Sequence, residues 1–324
     1  MNKLLSAIVS LSLASSLYAA TKATAYKSSI AEESFQTYVA LKALEKLGYE
    51  TQPIKEVAYA VAYSEMSQNK DSDDVLFMTT NWDPLHDNMY KKVNGEETLY
   101  RDGTFVESCA QGYLVDKKTA EKYNIKYIND LKDPKIAKLF DINGDGKADL
   151  SGCNPGWGCE KVIEYQLDAF KLRDTIEHKQ GEYSAIIADT ITRYKKGEPI
   201  LYYTWTPYWV SGKLVPGEDV VWLQVKETAH PVTKDTSLPN GMNFGFNVNN
   251  QRIVANASIK EKHPDVAKLF SIMKIDVNDI SAENMLIANG QNKEKDIQNH
   301  ADIWIKQNQE LFNSWIEKAK ALQK

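Results

Sequence analysis

Strand-like apolar runs alternate with amphipathic helical stretches twice along this chain. That alternation restricts it to an α/β architecture built on open, largely parallel sheets. The first cycle opens with SSIAEESFQTYVALKALEKLG, where Ser29 precedes Glu32 by three residues, the spacing of a helix-capping box. Phe35, Val39, Ala43 and Leu47 then share one helical face, and Gly48 stands at the stop. YETQPIKEV follows as a strand, AYAVAYSEMSQNK as a helix, and DDVLFMTT as an apolar run of the kind buried in a parallel sheet. The unit is βαβ and ends in NWDPLHDNMY, just past the carboxyl end of its last strand, where open α/β sheets bind ligands.

The second cycle begins after residue 105. FVESCAQGYLV reads as a strand crossing into a second lobe; KVIEYQLDAFKLRD and YSAIIADTITRYKKG read as helices, and PILYYTWTPYWV as a strand running into a loop. LPNGMNFGFNVNNQRIVAN reads as a return crossing, after which PDVAKLFSIM and HADIWIKQNQELFNSWIEKAKALQ form helices. The expected organisation is a first lobe made of residues 21–105 plus 245–324 and a second lobe of residues 106–244, with the ligand cleft between them. No period of 20 to 50 residues repeats.

Residues 1–20, MNKLLSAIVSLSLASSLYAA, have one early positive charge, an apolar run and terminal alanines, the layout of a cleaved signal peptide. A periplasmic location is expected, with no membrane insertion, because no second apolar stretch of about 18 residues follows. Loss of Lys3 takes the formal charge from −5 to −6. A nucleic-acid partner would need a basic stripe, which the chain lacks. In an oxidising compartment Cys153 and Cys159 can bridge, and a ring this small contributes roughly 2 kcal/mol. Its better use is to rigidify NPGWG. Cys109 is left over as a small buried thiol.

Trp82 in TTNWDP, Trp157 in NPGWGCE and Trp205 in YYTWTPYW all sit at transitions between elements, beside Pro or Gly, where no regular helical stripe can run. Trp209, Trp222, Trp304 and Trp315 read as core packing. A quaternary ammonium ion has no N–H to donate, so hydrogen bonds cannot hold it. Aromatic faces can, at about 1–2 kcal/mol per desolvated contact. A cage without carboxylates selects methylated cations over Lys, Arg or ammonium. If the ligand is a zwitterion, its carboxylate needs donors as well. The helix that begins near Glu160 would present the amides of Gly158 and Cys159 at its N-terminus, an anion site, and His86 could add a side-chain donor from the opposite lobe.

With these residues in view, the chain resembles the periplasmic glycine betaine/proline betaine-binding proteins of osmoprotectant ABC importers, the ProX type. The resemblance spans almost the whole mature chain, including SFQTYVALKALEKLGYE, NWDPLHDNMY, AQGYLVDKKTA, LKDPKIAKLFDINGDGKADL, CNPGWGCE, YYTWTPYWV and DVVWLQV. It implies a two-lobed type II binding-protein fold that traps its ligand between the lobes and delivers it to ABC permease subunits. It also implies an aromatic box at Trp82, Trp157 and Trp205, with carboxylate contacts at His86 and the backbone of Gly158 and Cys159. Cys109 is outside that pattern.

DINGDGKAD, residues 141–149, has the oxygen-ligand spacing of a calcium loop at Asp141, Asn143, Asp145, Lys147 and Asp149, with Gly146 at the sharp turn. Position 12 is Gly152, so the usual bidentate Glu is missing. A structural calcium and a polar turn held by Asx hydrogen bonds are both open readings. No other cofactor is required. There is no GxSxG, HExxH or Walker loop, and the five histidines are scattered, so no enzyme is expected. The rival readings are a choline- or carnitine-binding protein, a periplasmic enzyme acting on a betaine or choline ester, and a calcium-dependent adhesion or scaffold protein.

Overall fold

The computed structural model describes residues 20–323. The segment read as a signal peptide lies outside them, apart from Ala20. Two sheets organise the described residues. The first has Lys22–Lys27 at its heart, paired in parallel with Glu50–Thr51, Lys55–Glu56 and Val75–Asp83. Asn249–Asn256 joins it antiparallel to Val75–Asp83, and also pairs with Leu99–Tyr100 and Val106–Cys109. The second sheet runs in the order Val220–Trp222, Gln111–Asp116, Leu201–Trp205, Ala148–Ser151, Ile176–Lys179. The last three of these strands are mutually parallel, and the first two are antiparallel additions.

Burial follows the sequence pattern. Val75, Phe77, Met78, Thr79, Thr80 and Asn81 are all fully buried, as expected of a strand covered on both faces. In the Glu33–Leu47 helix, Phe35, Val39, Ala43 and Leu47 are buried, and Gly48 ends it in the left-handed conformation at φ 96°. Only glycine adopts that geometry without steric cost. The C-terminal helices Glu294–Gln307 and Gln309–Lys320 return to this first lobe. Trp304 meets Phe35 edge-on at 6.3 Å and stacks on Trp315 at 6.1 Å, so both tryptophans serve as core. No described helix is long and apolar enough to cross a membrane.

Two expectations need correction. The Ser29–Glu32 capping box does not form: Glu32 itself is the N-cap, without a side-chain cap bond. Glu33 instead reaches back to Ser28, accepting from its N–H at 2.9 Å and its hydroxyl at 2.8 Å. The first crossing also lies later than residue 105, because Val106–Cys109 still pairs with Asn249–Asn256 in the first sheet. The chain passes between sheets at Ala110, which exchanges hydrogen bonds with Thr206. FVESCAQGYLV is thus two strands, one in each sheet, and Cys109 ends the first as a buried free thiol.

Candidate functional site

Where the two lobes face each other they leave a small cavity. All six residues expected at a ligand site line it: Trp82, His86, Trp157, Gly158, Cys159 and Trp205. Tyr59, Leu85, Gln111, Tyr203 and Asn249 complete the wall. None of the lining residues carries a carboxylate, an ammonium or a guanidinium group.

Each ring is placed by its element. Trp82 is the penultimate residue of the Val75–Asp83 strand, and Trp205 ends Leu201–Trp205; both are buried. Trp205 stacks on Tyr208 at 4.5 Å and contacts Tyr183 at 4.7 Å. Trp157 is the N-cap of the Gly158–Ala169 helix and meets Trp205 edge-on at 5.7 Å. From the first lobe, Tyr59 reaches Trp157 at 6.2 Å and lies against the His86 ring at 4.4 Å.

The loop that carries Trp157 is closed by the Cys153–Cys159 disulfide, with Cα atoms 6.6 Å apart. Gly156 turns it at φ 85°, its N–H donating to Glu160 Oε2 at 2.6 Å, and Asn154 Oδ1 accepts from the Tyr183 N–H at 2.8 Å. Gly158 and Cys159 are the first two helical residues, so their N–H groups have no partner within the helix. At Gly158 a side chain is also excluded: a Cβ there would sit 2.5 Å from Leu85 Cγ of the opposite lobe. The lobes are closed to van der Waals contact at this point.

His86 is buried, and desolvation lowers its pKa to about 3, so the imidazole is neutral. Its Nδ1 faces the Tyr63 hydroxyl at 3.2 Å and the Trp82 N–H at 3.5 Å. Tyr63 accepts from Asn81 Nδ2 at 2.6 Å, which leaves its own proton for His86. With Nδ1 accepting, Nε2 carries the proton and is the ring's donor.

Glu33 lies buried behind the wall. One carboxylate oxygen takes the two Ser28 donors, and the other accepts from the Tyr59 hydroxyl. Burial raises its pKa above the usual carboxylate value, against the opposing pull of the Tyr59 and Ser28 hydrogen bonds and the Lys27 charge.

The 141–149 loop lies elsewhere in the second lobe, and its side chains cap its own backbone. Asp141 accepts from the N–H groups of Gly144 and Gly146, Asn143 from that of Asp145, and Asp145 from that of Lys147. Asp149 accepts from Ile142 and pairs with Lys179 at 2.9 Å. A side chain at position 152 would run into His178, so no bidentate Glu could be accommodated there. Among the described residues, no group of three or more His, Cys, Asp or Glu side chains is arranged to hold a metal ion.

Sequence reasoning missed Tyr59, Leu85, Gln111, Tyr203 and Asn249 as cavity walls. Gln111 and Asn249 carried a weak signal, being polar residues within the two crossing segments.

Set against known proteins, residues 24–307 match the family described as the substrate binding domain of ABC-type glycine betaine transport system. The chain belongs to this family. It is 55% identical over 300 residues to the glycine betaine/proline betaine-binding periplasmic protein of Escherichia coli (strain K12), covering 92% of this chain and 90% of that protein. The protein of the same description from Salmonella typhimurium is 54% identical over 301 residues, again 92% of this chain and 90% of that one. Among solved structures, the glycine/betaine/L-proline-binding protein (ProX) from Borrelia burgdorferi superposes with a TM-score of 0.71 at 19% identity, covering 93% of this chain and 99% of that one. At that identity the likeness supports the two-lobed fold alone.

Proposed function

We propose that this chain captures glycine betaine or proline betaine in the periplasm and presents it, enclosed between its lobes, to the permease of an ABC importer. The observation that carries this reading is a cavity walled by three indole rings, with no charged side chain in its lining, at the N-terminus of a helix. The indole faces would hold the methylated cation through the ring quadrupole, and the uncharged lining would give Lys, Arg or ammonium no carboxylate partner. The ligand carboxylate would take the Gly158 and Cys159 amides and the His86 Nε2–H, donors already oriented before the ligand arrives. Such preorganisation lowers the ordering cost of binding.

Ligand contacts from both lobes exist only in the closed form, so binding and closure are one equilibrium. The periplasmic location rests on the relatives' descriptions and on the composition of residues 1–20. The chain binds without transforming its ligand, and hydrolysis of ATP falls to another subunit of the importer.

Calorimetric titration with glycine betaine and with choline tests the reading. Choline keeps the cation and lacks the carboxylate, so it should bind at least tenfold more weakly, the loss expected when two or three charge-assisted hydrogen bonds have no acceptor. Choline binding as tight as glycine betaine would refute the carboxylate site, and absence of any heat with glycine betaine would refute the proposal.

A further inference from the structure

We propose that Tyr59 is a fourth, specificity-determining wall of the cation site and that Glu33 is its positioning residue, so that a buried carboxylate acts on the ligand through the phenol between them. The inference rests on the betaine-binding reading above.

Tyr59 lines the cavity with the three tryptophans, and its ring approaches Trp157 of the opposite lobe and the His86 imidazole. It is the first residue of the Tyr59–Gln68 helix, whose N-terminus alone would not fix a side-chain torsion. What fixes it is the hydroxyl, which donates to Glu33 Oε1. Glu33 is itself immobilised at the start of the Glu33–Leu47 helix, where the helix dipole favours a negative charge, and its second oxygen takes the N–H and hydroxyl of Ser28. Three donors converge on two oxygens, the pattern of a group that only accepts.

The arrangement solves a selectivity problem. A carboxylate in the lining would attract any cation able to donate hydrogen bonds. One residue further back, it is covered by an aromatic ring and offers no acceptor to the cavity. Its charge still makes the phenol ring a better partner for a cation than an unassisted Tyr would be.

The test compares glycine betaine with 3,3-dimethylbutanoate, which has the same carboxylate and shape but carries an uncharged tert-butyl group in place of the trimethylammonium. Dissociation constants are measured for the wild type and for E33Q, Y59F and Y59L, with thermal melts to establish folding. E33Q keeps an acceptor but removes the charge; Y59F keeps the ring but cuts the link; Y59L removes the ring. We expect E33Q and Y59F each to weaken glycine betaine binding by about threefold or more and to leave 3,3-dimethylbutanoate within twofold. Y59L should weaken glycine betaine binding by about tenfold. Equal losses for both probes would reduce the pair to structural support and overturn the proposal, as would an unchanged glycine betaine affinity in Y59L, which decides the matter even if E33Q does not fold. A wild type that fails to bind glycine betaine would instead bring down the underlying reading.

Discussion

Trp205 is clamped by Tyr208 and Tyr183, whereas Trp157 depends on the loop that carries it and on contacts to Tyr59 and Trp205. Replacing Trp82, Trp157 or Trp205 by Ala should each weaken glycine betaine binding by about tenfold or more, at ~1–2 kcal/mol per aromatic face. Tryptophan fluorescence titrations would show it, and three variants binding like wild type would remove the cage. His86 makes a different prediction. Its folded pKa of about 3 lies below the unfolded value near 6.5, so between those values the unfolded chain binds the extra proton. Its contribution to stability is therefore full above pH 6.5 and is lost as pH falls toward 3. Between pH 7 and 4.5, urea unfolding should show the wild type losing about 2 kcal/mol more than His86→Gln; equal losses would mean that the imidazole reaches solvent. The three tryptophans were legible because Pro and Gly neighbours exclude them from a regular helical stripe. Tyr59 was not: with Tyr63 four residues on, it reads as the buried face of a helix, and the partner that gives it another role, Glu33, is 26 residues away.

At the scale of elements, the short segment from Cys153 to Cys159 brings together a disulfide, a glycine turn, a cavity-lining ring and a helix N-terminus. Gly158→Ala isolates one of these. A Cβ at 158 would collide with Leu85, a residue that faces it across the cleft from the opposite lobe. The variant should melt within a degree or two of the wild type without ligand and bind glycine betaine at least tenfold more weakly; unaltered affinity would show that the lobes need not approach so closely. The 141–149 loop makes the opposite prediction. It lies away from the cavity and caps its own backbone, so EDTA should leave glycine betaine affinity unchanged. An affinity restored only by added calcium would tie this loop to the site. Helix and strand patterns placed most elements. The Ser29–Glu32 signal failed because Glu33 found a competing pair of donors on Ser28, and spacing cannot rank such alternatives.

For the whole molecule, two α/β lobes were readable from the repeated alternation of elements, and the return of the C-terminal helices from their need for a surface to pack on. The position of the first crossing was not readable, because residues 106–116 read as one extended strand and only tertiary pairing assigns 106–109 and 111–116 to different sheets. The site depends on that same long-range assembly: Tyr59, Trp82 and His86 come from one lobe and Trp157, Gly158, Cys159 and Trp205 from the other. Recognition of a fully methylated ammonium group therefore falls to rings that meet only when the lobes close. Titrating the protein with glycine, sarcosine, dimethylglycine and glycine betaine varies that group alone. Affinity should rise with each methyl group, glycine betaine binding at least a hundredfold more tightly than glycine, as several added contacts of ~1 kcal/mol require. Affinities that were equal across the series, or highest for glycine, would contradict it.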